Sequence, residues 1–151
     1  MSAVAEKQLA TFLSAYTPAI AAIAKAARKK VRSLAPGATE LVYDNYNALV
    51  IGFGPADKTS EVILSLALYP RWVTLFFWNG PKIPDPTKLL KGSGKVVRSV
   101  QLAGADTLDE PEVRALIAHA LRLAPRPIDA LAKREVIIKL VSAKQRARRP
   151  T

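Results

Sequence analysis

The 151-residue chain predicts an α+β fold, an antiparallel sheet of about five or six strands packed against N-terminal and C-terminal helices. Three observations carry that expectation. Residues 4–34 are alanine-rich with helical spacing of the larger apolar side chains. Residues 39–103 then turn to β-branched and aromatic runs broken by turn residues. Residues 108–124, "LDEPEVRALIAHALRLA", return to the helical period. A chain of this length forms one domain, here residues 1–151 with a basic C-terminal tail at 143–151. It buries enough surface to need no disulfide or metal staple.

Thr17 and Pro18 divide the first helical region, because threonine caps a helix and proline suits its first position. In the second helix Ile20, Ile23, Ala27, Val31 and Leu34 make one apolar stripe. Lys25, Arg28, Lys29 and Arg32 make a separate basic face, whose plainer reading is a side turned to water. "APG" at 35–37 ends the helix.

Four strands follow: "TELVYDN", "ALVIGFG", "EVILSLALY" and "WVTLFFW". The links between them are too short for crossover helices, so neighbours pair antiparallel. "KVVRSVQLA" supplies a fifth strand. The loop before it, "NGPKIPDPTKLLKGSG", is the longest, with room for one helical turn at 86–90. In the last helix Asp109 and Glu112 have the spacing of a capping pair. Val113, Leu116, Ile117, Ala120, Leu121 and Ala124 form its buried face, and "PRP" at 125–127 stops it. Residues 136–141 favour a sixth strand, after a short helical turn at 130–134 and before a frayed basic end.

The composition limits the chemistry. With no cysteine, disulfides, thiolate metal sites and cysteine nucleophiles are excluded. The opening residues lack a basic start followed by an apolar run, and no run approaches a membrane span, so the expected location is cytoplasmic, without a membrane partner. The net charge of +11 attracts polyanions without specifying one.

"KLLKGSGKVVRSVQL" at 88–102 superficially suggests a phosphate loop. Its glycines are too close together, Lys95 is followed by valine, and a strand follows rather than a helix, so the P-loop reading fails. A glycine turn remains, in which Gly92 and Gly94 take positive φ, with a small backbone anion nest beside Lys95 as its functional version. Strand alternation puts Arg98 on the apolar face of Val96, Val100 and Leu102. A guanidinium there needs a carboxylate, and the candidates are Glu40 and Asp85.

The same residues carry a family resemblance. "LAPGATELVYDNY", "YPRWVTLFFWNG" and especially "DPTKLLKGSGKVVRSVQL" resemble the YdhG-like family, a bacterial domain of unknown function, with Asp85, Pro86, Leu89, Leu90, Gly92, Gly94, Lys95 and Arg98 at its motif positions and Glu40 at its acidic position. "VIIKLVSAKQRARRP" resembles the basic end of longer members. The resemblance implies an α+β fold with an antiparallel sheet and no settled activity. One branch is described as a frataxin-like iron chaperone. This chain fits that branch poorly, because hard cations need clustered carboxylates and its acidic run at 106–112 is explained by helix capping.

His119, the only histidine, has Ala115 and Leu123 four residues to either side, so no helical ligand pair forms and a water-facing position is expected. No nucleophile elbow is present. The sequence identifies no catalytic residue, cofactor or metal site. In the fourth strand Trp72, Thr74, Phe76 and Trp78 share one face and Val73, Leu75 and Phe77 the other. Both faces are apolar, so both need cover. One awaits the tail, the long loop, an apolar ligand or a second subunit, and the favoured covers are a homodimer or a small pocket near Trp72, Trp78 and Arg98, with Tyr43 and Tyr46 as neighbours. The leading expectation is a non-enzymatic domain binding a small or anionic ligand or a protein partner. Its site would use Glu40, Asp85, Lys95 and Arg98, walled by Trp72 and Trp78. The alternative is nucleic-acid or anionic-surface binding through Lys25, Arg28, Lys29, Arg32, Lys144, Arg146, Arg148 and Arg149.

Overall fold

The computed structural model describes residues 2–151. Helix α1 spans Ser2–Ser14 and α2 spans Pro18–Leu34. Thr17 caps α2, its hydroxyl oxygen accepting from the Ile20 amide at 3.3 Å. Strands β1 Thr39–Asp44, β2 Leu49–Gly54, β3 Leu64–Leu68, β4 Val73–Trp78 and β5 Val97–Leu102 follow. Helix α3 is Pro111–Leu123 and strand β6 is Glu135–Val141. Among the described residues no helix is long and apolar enough to cross a membrane.

The fold is α+β, as the residue patterning predicts, with a six-stranded sheet in the order β5-β4-β3-β2-β1-β6. Strands β1 to β5 pair antiparallel through short links. The sheet is mixed rather than wholly antiparallel, because β6 pairs parallel to β1. Side-chain alternation encodes which face a residue takes, not strand direction, and β6 is too far from β1 in sequence for a hairpin to fix it. A register shift at Val42/Tyr43 lets β6 follow β1 to its end.

Direct cross-strand partners share a face. Val42, Ile51, Leu66 and Leu75 therefore line one side, with Phe53, Leu64, Phe77 and Val100 beside them, and this side packs on the helices in one core. The α2 stripe enters that core as expected, reinforced by Ala24. In α3, Val113, Leu116, Ile117 and Ala120 are buried, with Leu121 and Ala124 at the margin. The Asp109–Glu112 capping pair does not form. Glu110 holds the cap position without a side-chain bond, and Asp109 instead accepts from Lys30 Nζ and Arg114 Nη2. Those two cations hold its carboxyl below the ordinary carboxylate range.

The opposite face of the sheet is covered in part by the β2–β3 connection, a cover that the sequence reading does not name. Val62 lies over Gly52, where an added Cβ would sit 3.1 Å from its Cγ1, and Thr59 hydrogen-bonds Tyr43. A 3-10 turn at Thr59–Glu61 makes that fold-over and delays β3 to Leu64, three residues after the expected start.

Candidate functional site

The basic face of α2 does not simply turn to water. Glu40 stands on the helix-facing side of β1 and is 0% exposed. Arg28 Nε donates to its Oε1 and Arg32 Nε to its Oε2, each at 2.6 Å. Glu6 on α1 accepts from Arg28 Nη1 and Nη2 at 3.0 and 2.7 Å, and from Arg32 Nη2 at 2.6 Å. The Arg28 hydrogen bonds, helped by Arg32 and opposed by partial burial, hold the Glu6 carboxyl at about 2. Glu40 is thus closed to ligand: both carboxylate oxygens are occupied and its surface is buried. Arg28 and Arg32 are tied to it, so the expected phosphate contacts reduce on this helix to the exposed Lys25 and Lys29.

The expected Arg98–carboxylate pair is absent. Arg98 does face the helix side, opposite Phe77, but at the end of β5 where the surface is near. Its Nη1 donates to the Val97 carbonyl at 3.4 Å, and among the described residues it enters no ion pair. Glu40 is taken by α2. Asp85 instead accepts from the Leu89 and Leu90 amides, both at 2.9 Å, fixing the 86–90 segment as a turn rather than a helix. Arg98 works through its stem: a Cβ on Gly80 would lie 2.5 Å from both Arg98 Cβ and Cγ. The long loop is therefore clamped on hydrocarbon, and the guanidinium reaches water without a large desolvation cost. The glycine bend lies inside a small hairpin closed by Lys91 and Ser99, whose amides and carbonyls exchange bonds of 2.8 and 3.0 Å. Gly92 takes φ +114°, Gly94 does not enter the positive region, and Lys95 is exposed.

Trp72 and Trp78 do not wall one pocket. They flank opposite ends of β4, about 20 Å apart at the strand rise. Trp78, 38% exposed, borders a cavity of about 280 Å³ with Ile63, Val96, Ala120 and Arg126. Trp72, 40% exposed, belongs to a different and larger cleft.

The tail builds that cleft, because it is anchored rather than frayed. Arg148, expected to meet phosphate, is 7% exposed. Its Nη2 donates to Asp44 Oδ1 at 2.9 Å and to the Asn45 carbonyl, and its guanidinium lies 5.8 Å from the centre of the Tyr16 ring. Tyr16 is buried, donating to the Leu68 carbonyl at 2.9 Å and accepting from the Leu49 amide at 3.1 Å. Burial, more than those neighbours, raises its phenol above the ordinary value. Gln145 Nε2 donates to the Asp44 carbonyl at 3.0 Å.

This anchor presents Arg146 and Arg149 to the β3–β4 turn. Arg149 Nε donates to the Ala15 carbonyl at 3.1 Å, just past α1, where helix carbonyls lack intrahelical donors. Its Nη2 donates to the Ser14 carbonyl at 3.4 Å, and the residue as a whole is exposed. Arg146 lies 5.7 Å from the centre of the Tyr46 ring. Across from them Tyr69 and Trp72 stack with centroids 5.3 Å apart and planes at 28°. The cleft, about 680 Å³, is lined by Tyr69, Arg71, Trp72, Arg146 and Arg149 among others, and no acidic side chain lines it. Lys144 is exposed outside its lining.

Tyr69 and Arg71 are the site residues that sequence reasoning missed. "YPRW" contained the signal: a two-residue turn places its flanking tyrosine and tryptophan directly opposite. Tyr46 was expected near the pocket and lies under Arg146; Tyr43 lies under the β2–β3 link. His119 is half-buried, its Nδ1 3.1 Å from Arg122 Nη2. Among the described residues no three His, Cys, Asp or Glu side chains group as metal ligands. No family model, curated protein or solved structure matches the chain.

Proposed function

We propose that the protein is a binding module for an anionic ligand, seated in the cleft between the β3–β4 turn and the C-terminal tail. One observation carries this reading: three arginines and a stacked Tyr69–Trp72 pair surround a cavity of about 680 Å³ with no acidic side chain in its lining. Guanidinium groups bind phosphate and carboxylate in a planar, bidentate manner, and a nearby aromatic face takes a flat or apolar portion of the same ligand. The module acts by holding its ligand, without a chemical step of its own. Its kinship with YdhG-like proteins is part of this proposal and rests on the motif at 85–102.

The test uses inorganic tripolyphosphate, titrated calorimetrically at low salt. Saturable binding is expected, with about a tenfold loss on Arg71→Ala or Arg146→Ala, the worth of one charge-assisted hydrogen bond. Absence of heat and of any protection against unfolding at millimolar tripolyphosphate would remove the proposal.

A further inference from the structure

Resting on that reading of the cleft, we infer that its ligand is single-stranded nucleic acid, stacking a base on the Tyr69–Trp72 platform and continuing along α2. Two features of the cleft favour a base over a bare phosphate. Trp72 is 40% exposed and stacks on Tyr69, so an aromatic pair is held together at the mouth of the cleft with indole surface still open to a further ring. Arg71, Arg146 and Arg149 line the same cleft. Aromatic platforms ringed by cations bind unpaired bases with little regard to sequence, because every base has a π-face. A duplex keeps its bases stacked on one another and offers none to such a platform.

A second cavity extends the charge. About 500 Å³ in volume, it is lined by Lys25, Lys29 and Arg134, with the already paired Arg28 and Arg32 behind them. Leu13 also lines it, and the next two residues, Ser14 and Ala15, give the carbonyls on which Arg149 sits. The C-terminal end of α1 thus borders both cavities, through Leu13 on one side and the Arg149 contacts on the other. Glu6 and Glu40 neutralise the two inner arginines, leaving Lys25, Lys29 and Arg134 for the solvent side. A mononucleotide would occupy only the first cavity. A strand leaving the platform past Arg149 would run towards the second, where Lys25, Lys29 and Arg134 offer separate cations to successive phosphates.

Fluorescence anisotropy of a labelled twelve-nucleotide oligothymidylate tests this. Competitors are the same-length duplex, tripolyphosphate and phosphatidylserine vesicles. The oligothymidylate should bind at least tenfold more tightly than the duplex. Trp72→Ala should weaken it tenfold or more, the usual effect of losing a stacked base. With about five phosphates engaged, the logarithmic salt slope should be about −3.5, and Lys25→Glu with Lys29→Glu should make it shallower by about 1.4. Both lysines are exposed, so the double variant should keep the wild-type circular dichroism spectrum. Equal binding of duplex or vesicles would overturn the inference. So would an unchanged salt slope in the double variant, which would show that no strand reaches α2. If tripolyphosphate binds while oligothymidylate binds no better, the anionic cleft stands and the nucleic-acid assignment falls. If neither binds, both fall.

Discussion

Replacing Glu40 by glutamine should unfold more of this protein than any exposed charge change. Glu40 is fully buried on β1, and each carboxylate oxygen takes an arginine Nε at 2.6 Å. The amide has nearly the same shape but one acceptor oxygen and no charge. One Nε–H keeps a neutral acceptor, and the other faces an NH2 group. Each bond to a charged group is worth about 1.5–3 kcal/mol, and breaking a buried ion pair costs about 3–5 kcal/mol. Glu6 still binds both guanidiniums, and Arg28 and Arg32 keep 12% and 22% of their side-chain surface in water, which softens the loss. The expected destabilisation is about 3 kcal/mol, a large part of a typical 5–15 kcal/mol total. Urea unfolding should show a lower midpoint at unchanged slope, and the melting temperature should fall by about 6–12 °C. A loss below about 1 kcal/mol would refute the idea that this carboxylate joins the helical layer to the sheet.

Glu6 predicts an acid dependence. Its folded value of about 2 lies below the ordinary 4.5, so its contribution is complete above pH 4.5 and is lost as pH falls towards 2. The shift corresponds to about 3 kcal/mol unscreened. The side chain is 38% exposed, and solvent screening reduces this to about 1 kcal/mol. Urea midpoints between pH 5 and 2.5 should converge for wild type and Glu6→Gln. Arg148→Met leaves Asp44 buried without its cation, so stability should drop by about 3 kcal/mol and trypsin should cut at Lys144 and Arg146 much faster than in wild type. Gly80→Ala puts a methyl group 2.5 Å from the Arg98 stem and 2.8 Å from its backbone nitrogen. Calorimetric melting should report a cost of about 1–3 kcal/mol, typical of overpacking.

Local patterning was enough to reveal most of the architecture. Thr17–Pro18 marks the break between helices because capping and a fixed proline φ are properties of two adjacent residues. The five antiparallel strands follow from alternation and from links too short to cross over. The candidate site was less legible. Alternation assigns Arg98 its face, but a face does not say how far a residue lies from the sheet's end, and there a long side chain escapes to water. Glu40 and Arg28 are twelve positions apart, and nothing local to either signals that they meet. The tail looked like loose positive charge because Arg148 finds Asp44 across 104 positions.

The class of fold, the faces of the helices and strands, and the excess of positive charge are written in the order and kinds of residues. Those depend on periodicity and composition, which act over a few residues or over the whole chain. Which cations are neutralised and which stay exposed is settled by the packed chain. That choice depends on distances between residues far apart in the chain: Arg28, Arg32 and Arg148 are matched to buried acids, while Arg71, Arg146 and Arg149 line a cleft with Tyr69 and Trp72. Burial makes the first set structural, because a desolvated charge must keep its partner. The second set is exposed and, among the described residues, pairs with no acid, so folding does not fix its counter-charge.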